Sequence, residues 1–159
     1  MEMIENSTCI KFMKFTNETD FITITGNSYH CGTKIGRRGG EQILSILDNS
    51  YCFQTVSIIH ELLHILGFHH MHLSANRDDF IEIIWENVKE DKFNKFRIKE
   101  NLQDLGVEYD YGSIMHYSPY AYSKNGQKTI VPLKNVNGAT LGQREMLSDK
   151  DILRINRLY

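Results

Sequence analysis

TVSIIHELLHILGFHH, residues 55 to 70, is the stretch from which the rest of this chain is read. Up to Phe68 it carries apolar residues around most of its circumference, no proline, and a glycine only at its end, which predicts a buried helix over 55–68. Gly67 suits the stop, because the residue that ends a helix often needs positive φ. His60 and His64 stand at i, i+4, so the two imidazoles lie one turn apart on one face and can share one ion. Glu61 follows the first of them, where its carboxylate can reach a water beside that ion without being a ligand itself. Beyond Gly67 the chain can turn back and bring His70 to the same point as a third nitrogen ligand. Taken alone, a histidine on a helix is more often a satisfied core or surface residue than a ligand, and seven histidines make some coincidence expected. The full string H-E-x-x-H-x-x-G-x-x-H is different: independent placement yields it with a probability on the order of 10⁻⁴ or less. Uncompensated polar groups in so apolar a helix would also cost about 1 to 3 kcal/mol each, and a metal would compensate them. Three imidazoles with one position left open favour one catalytic Zn²⁺ per chain, whereas structural zinc sites are closed by four protein ligands. His30, His69, His72 and His116 fall outside the ligand spacing and read as structural or as neighbours of the ligands.

Around this helix the composition is that of one domain, residues 1–159, with 41% hydrophobic and 24% charged content. Eighteen basic against 20 acidic residues give a net charge of −2, so no nucleic-acid or anionic-membrane partner is expected. Mean hydropathy is −0.39 and no apolar run approaches the roughly 20 residues that span a bilayer. The opening MEMIENSTCIKFMKF has acidic residues and Cys9 where a secretory signal carries a basic start and an unbroken apolar run. Three cysteines leave at least one without an internal disulfide partner; composition alone does not separate this from three reduced thiols packed as small hydrophobes. TCIKFMKF and FITIT, within residues 8–25, predict a short antiparallel pair around the polar turn NET. GRRGG at 36–40 predicts a tight or flexible turn, and EQILSILD after it a buried strand in preference to a short helix. WENVKEDKFNKF predicts a second, amphipathic helix with Phe93 and Phe96 inward. Ser148 and Asp151 form a capping-box pattern opening a terminal helix with Ile152, Ile155 and Leu158 at helical spacing.

Thirty-nine residues beyond His70 the chain reaches YDYGSIMHY, Tyr109 to Tyr117. In metzincins the long zinc motif is succeeded by a methionine turn of this kind, here with a tyrosine two residues after the methionine. With HELLHILGFHH at 60–70, NRD at 76–78, WEN at 85–87, TIVP at 129–132, and GQR and LSDKDI near the end, the sequence resembles the astacin family of zinc endopeptidases over nearly its whole length. TCIKF at 8–12 and GRRGGEQ at 36–42 are weaker matches.

The resemblance implies an α+β, zincin-like catalytic domain: an N-terminal lobe of mixed sheet and active-site helix over 1–70, and a smaller C-terminal lobe over 71–159 with the Met-turn and terminal helix, the cleft lying between them. It implies His60, His64 and His70 as zinc ligands, Glu61 as general base and acid, Met115 as the floor of the site, and Tyr117 as an additional ligand that swings off the metal to help hold the oxyanion. Without its place after Ser-Ile-Met-His, Tyr117 would read as a packed aromatic with a bonded hydroxyl. Cys31 and Cys52 resemble a family disulfide closing a loop of about 20 residues. Cys9 resembles a cysteine whose partner lies beyond the terminal helix, which reads, together with a short front, as truncation at both ends. Asn6-Ser7-Thr8 and Asn17-Glu18-Thr19 match glycosylation sequons. Three positions depart from the pattern: Met71 where an acidic residue pairs with the activated N-terminus, Asn76 for Asp, and Ser118 for Gly. Substrates implied are proteins or peptides laid along an edge strand at Cys31 to Ile35. Arg144 is a reader of an acidic residue after the scissile bond, or equally a surface arginine capping backbone. A secreted monomer is expected, and the alternative reading is an inactive zinc-binding module.

Overall fold

In the computed structural model, which describes residues 1–26, 30–47 and 52–159, the alternating FITIT forms strand β1 (Phe21–Thr25) and EQILS forms β2 (Glu41–Ser45). The two pair in parallel, Phe21 with Glu41 through Thr25 with Ser45. An antiparallel bridge between Gly32 and Ser45 makes this small sheet mixed. Asp48, at the end of the predicted EQILSILD strand, lies outside the described residues.

The antiparallel pair expected within 8–25 does not form. A short helix α1 (Glu2–Ser7) precedes TCIKFMKF, and that segment is spent on it. The Phe12 N–H donates to Glu5 Oε1 at 2.9 Å, the Lys11 ammonium to the Glu5 carbonyl at 2.9 Å, and the Thr8 hydroxyl to the Ile4 carbonyl at 2.7 Å. Groups that bond to the helix are lost to a ladder, and the β-like alternation of the segment is overridden. The expected edge strand at Cys31 to Ile35 also shrinks to the single bridge at Gly32. Side chains take over its neighbours: Thr33 Oγ1 donates to the Ile43 carbonyl at 2.9 Å and Gln42 Nε2 to the Lys34 carbonyl at 2.7 Å.

TVSIIHELLHI forms α2 (Thr55–Ile65), with Ile59, His60, Leu62, Leu63 and His64 buried. Its end is a Schellman motif: the Phe68 N–H reaches the Leu63 carbonyl at 3.0 Å and the Gly67 N–H reaches the His64 carbonyl at 2.9 Å. That geometry needs the φ of +100° at Gly67, which a side-chain-bearing residue resists. Cys31 is disulfide-bonded to Cys52 just ahead of this helix, Cα to Cα 6.1 Å, while Cys9 lies exposed.

These elements belong to one compact unit, Met1–His69 with Tyr159, and His70–Leu158 forms a second. Its core gathers Ile81, Ile83, Val88, Phe96, Tyr109, Tyr111, Ile130 and Leu141 around the antiparallel pair β3 (Ile81–Ile83) and β4 (Ile130–Pro132). The helix expected at WENVKEDKFNKF is instead two 3₁₀ segments, Trp85–Asn87 and Glu90–Phe96. Val88 between them is fully buried and bridges to Ser123, while the Lys124 N–H bonds to the Asn87 carbonyl at 2.8 Å and the Lys89 N–H to the Tyr122 carbonyl at 3.0 Å. Those cross-chain bonds draw the backbone out of a continuous helix. Phe96 is fully buried, as its spacing suggests, but Phe93 stays 36% exposed.

The terminal helix α3 (Asp149–Leu158) opens on the reciprocal capping box: the Asp151 N–H donates to Ser148 Oγ at 2.9 Å and the Ser148 N–H to Asp151 Oδ2 at 3.2 Å. Its buried face is Asp151, Arg154 and Ile155, and Leu158 is exposed. The apolar spacing alone missed that two charged residues turn inward, where Arg154 donates to the Glu108 carbonyl at 2.6 Å. Among the described residues no helix is long and apolar enough to cross a membrane.

Candidate metal centre and active site

The i, i+4 spacing on α2 sets the rings of His60 and His64 at 4.7 Å, edge to face. Both are buried in a helix otherwise lined by Ile and Leu. The Nδ1–H of His64 is held by the Phe68 carbonyl at 2.7 Å, which fixes the ring and makes Nε2 the nitrogen that carries the lone pair. That carbonyl is supplied by the turn through Gly67, so the helix stop also orients the His64 ring. One ligand atom each from His60, His64 and His70 lies within 4.8 Å of the others, a spacing that one ion can bridge. Among the described residues the cluster has three imidazole nitrogens and no fourth His, Cys, Asp or Glu donor, which suits zinc with an open position. The donors present therefore fit the metal that the motif implies. Glu61, one residue after the first ligand, is half-buried and its carboxylate faces Gly32, where a Cβ would lie 4.0 Å from Oε2.

The second unit places Tyr117 against His70, ring centroids 4.5 Å apart. Met115, 3% exposed, accepts a hydrogen bond from the Met71 N–H at 2.9 Å through its carbonyl, which ties the turn to the residue following His70. The turn itself has no regular structure and is held by polar groups. Asp151 accepts from the Ser113 hydroxyl at 2.6 Å and from the Ile114 N–H at 2.9 Å, and Ser113 Oγ accepts from the Met115 N–H at 3.0 Å. Asp110 accepts from Ser148 Oγ at 2.5 Å and from the Gly112 N–H at 2.9 Å. Burial pushes the Asp151 carboxyl above its ordinary value of 3.8, and the bonds from Ser113 and Ile114 pull the other way.

His116 and His72, which fall outside the ligand spacing, sit beside Tyr117. Burial lowers His116 to about 4, so it is neutral at pH 7; its Nδ1–H donates to the Tyr117 carbonyl at 2.7 Å and its Nε2 accepts from the Tyr109 hydroxyl at 2.8 Å. Burial lowers His72 to about 3; its Nε2–H donates to the Lys95 carbonyl at 2.9 Å while its ring stacks on Tyr117 at 3.9 Å. Burial first, then Tyr122, raises the Tyr117 hydroxyl well above the ordinary tyrosine value. Arg144 Nη1 donates to the carbonyls of Gln143 at 2.7 Å and His116 at 3.2 Å. Its loop comes this close because Gly142, at φ +73°, lies against Ser118; a Cβ there would collide with the Ser118 backbone.

Sequence reasoning missed Tyr122, Phe96 as a neighbour of Tyr117, and the anchoring by Asp110 and Asp151. The capping pattern at Ser148 and Asp151 was the available signal for the last of these, although its reach to Ser113 is non-local.

The sequence pattern of one peptidase family, Astacin, matches residues 1–159. Similar proteins include embryonic protein UVS.2 of Xenopus laevis, 44% identical over all of this chain and 30% of that protein. Zinc metalloproteinase nas-13 of Caenorhabditis elegans is 43% identical over all of this chain and 35% of its own length, and the low choriolytic enzyme of Oryzias latipes is 40% identical over all of this chain and 57% of its own. The chain thus spans between about a third and somewhat over half of these curated relatives. Among solved structures, high choriolytic enzyme 1, a hatching enzyme zinc-protease from Oryzias latipes, matches with a TM-score of 0.92 at 39% identity, covering all of this chain and 78% of that one. A match that runs from the first residue to the last, over an α+β fold bearing the histidine cluster, makes this chain a member of the astacin family of zinc metallopeptidases.

Proposed function

We propose that this chain is the catalytic domain of a secreted, zinc-dependent endopeptidase. The observation that carries the reading is the convergence of His60, His64 and His70 to within 4.8 Å, next to Glu61 on the same helix as the first two. His60, His64 and His70 hold one zinc in this reading, and Tyr117, packed on His70, is an additional ligand. When bound, zinc acidifies a water and polarises the scissile carbonyl. Glu61 takes the proton of the attacking water and delivers it to the leaving amine. The Tyr117 hydroxyl, whose proton burial retains, donates to the oxyanion as it develops. Met115 closes the floor beside Met71, and Asp151 holds that turn in place. Arg144, anchored on the His116 carbonyl, meets an acidic side chain following the scissile bond. The Cys31–Cys52 disulfide supports an oxidising, extracellular compartment.

The inactive zinc-binding alternative draws on Met71, which cannot form the ion pair an acidic residue would form there. Cleavage of unfolded protein and of peptides with an acidic residue after the scissile bond separates the two. The enzyme reading expects cleavage that a chelator abolishes and zinc restores. Zinc-loaded protein that cleaves neither substrate refutes it.

A further inference from the structure

Two Asn-Gly pairs stand in exposed loops of the second unit, Asn125-Gly126 and Asn137-Gly138. Asparagine before glycine is prone to cyclise, because a residue without Cβ leaves its amide nitrogen open to the asparagine side chain. Neither glycine is hindered here: a Cβ on Gly126 or on Gly138 would meet nothing within 4 Å. The asparagine side chains differ. Asn125 Nδ2 donates to Asn87 Oδ1 at 2.8 Å, and its Oδ1 accepts from the Gln127 N–H at 3.0 Å and from the Ser123 hydroxyl at 3.2 Å. Asn137 lies in a tight turn, φ +50° with Gly138 at +83°, closed by the Ala139 N–H on the Val136 carbonyl at 2.9 Å. Its backbone N–H is held by Asn135 Oδ1 at 2.8 Å. Among the described residues its side-chain amide and the Gly138 N–H have no hydrogen-bond partner.

We propose that Asn137 is a site of spontaneous deamidation and backbone rearrangement, and that the fold spares Asn125. Rotation about the Asn137 Cα–C bond opens the turn and brings the Gly138 nitrogen to Asn137 Cγ. The N–Cγ bond forms, the Cγ–Nδ2 bond breaks, and the Gly138 amide proton leaves with the side-chain nitrogen as ammonia. Water then opens the resulting succinimide at one of its two carbonyls. The product is aspartate, or isoaspartate, whose chain runs through the side chain and is one methylene longer. The same rotation at Asn125 gives up its side-chain bonds to Asn87, Ser123 and Gln127. The consequence reaches the Met-turn segment: a Cβ on Gly112 would lie 3.5 Å from the Ala139 Cβ, and Val136 and Ala139 pack on the core that holds Tyr109 and Tyr111. A longer chain between Val136 and Ala139 displaces that support, so isoaspartate at 137 slows peptide cleavage; this last step rests on the endopeptidase reading.

The test ages the whole folded chain in mildly alkaline buffer and follows both pairs by peptide mass spectrometry, as the exchange of NH2 for OH, with isoaspartyl methyltransferase marking the iso form. Asn137 converts at least about tenfold faster than Asn125, the worth of one or two hydrogen bonds in an equilibrium, whereas in urea the two convert at similar rates. Asn87→Ala, which frees Asn125 Nδ2, narrows the gap in the folded chain. Peptide cleavage declines as the iso form accumulates, while Asn137→Gln aged alongside keeps its rate, because the longer side chain closes its ring far more slowly. Equal conversion of the two pairs in the folded chain, or an Asn137 that converts only in urea, overturns the proposal. Conversion to isoaspartate without loss of cleavage overturns the link to the Met-turn. A fresh chain that does not cleave refutes the endopeptidase reading and leaves the mass measurement to decide the site.

Discussion

The segment 55–68 and the segment 109–117 both carry residues of the proposed site and are built in opposite ways. The first is a regular helix whose stop, histidine spacing and Glu61 all lie within one continuous run, closed by local bonds from Gly67 and Phe68. The second has no helix or strand of its own and takes its shape from Asp151 and Ser148, more than thirty positions along the chain. The proposed residues thus divide into a locally encoded set, which tolerates change elsewhere, and a set whose geometry depends on distant side chains.

Substitutions separate the two modes. In the helical part, His64→Ala removes a proposed ligand and its bond to the Phe68 carbonyl but leaves the backbone bonds of the helix stop and the Ser113–Asp151 network in place. Activity falls at least a hundredfold, since even residues behind a metal ligand cost about 10- to 100-fold, while zinc binding weakens in parallel and urea unfolding of the metal-free protein changes little. A stable His64→Ala protein that kept its zinc would place the metal elsewhere. Next in size is the crosslink that precedes this helix. Replacing Cys31 and Cys52 together by serine lowers stability by about 3 kcal/mol, measured by denaturant midpoint with the slope unchanged.

In the non-local part, Asp151→Ala strands the Ser113 hydroxyl and the Ile114 and Ser148 amides. Unfolding free energy drops by about 1 to 3 kcal/mol, with zinc content retained. Gly142→Ala acts at the same place by collision with Ser118 and is expected to cost a similar amount, with a rise in KM for acidic peptides as the Arg144 loop is displaced. The smallest effect is a pH dependence. Because burial raises the Asp151 carboxyl, the folded chain favours its protonated form; the resulting stabilisation is full below 3.8 and is lost as pH rises through the elevated folded value. The neutral Asp151→Asn variant lacks this contribution, so the wild-type advantage over it in melting temperature shrinks as pH rises from below the ordinary carboxylate value towards neutrality. A gap that widened with pH would assign the carboxylate form to the fold.

The same contrast explains what was legible in the amino-acid sequence. Periodicity located α2 and α3, and Gly67 marked a helix stop, because those signals act over one or two turns. It failed at Val88, where buried packing and the bridge to Ser123 divide the expected helix, and at TCIKFMKF, where Glu5 and α1 claim groups the alternation assigned to a strand. The parallel pairing of β1 with β2 joins segments 20 positions apart, and nothing in either strand names its partner. At the site, the three histidines were readable from spacing. Tyr117 was singled out only by likeness to a family, and its enclosure by His72, Phe96 and Tyr122 depends on folds of the chain that no local pattern reports.

The most direct measurement pairs zinc content with peptide cleavage in wild type and Glu61→Ala. Wild type holds about one zinc per chain and cleaves, whereas Glu61→Ala holds the same zinc and loses cleavage by several orders of magnitude, on the order of the 10²–10⁴ expected for a general base or beyond it. Cleavage that survives Glu61→Ala, or a wild-type chain that does not bind zinc, would contradict the account.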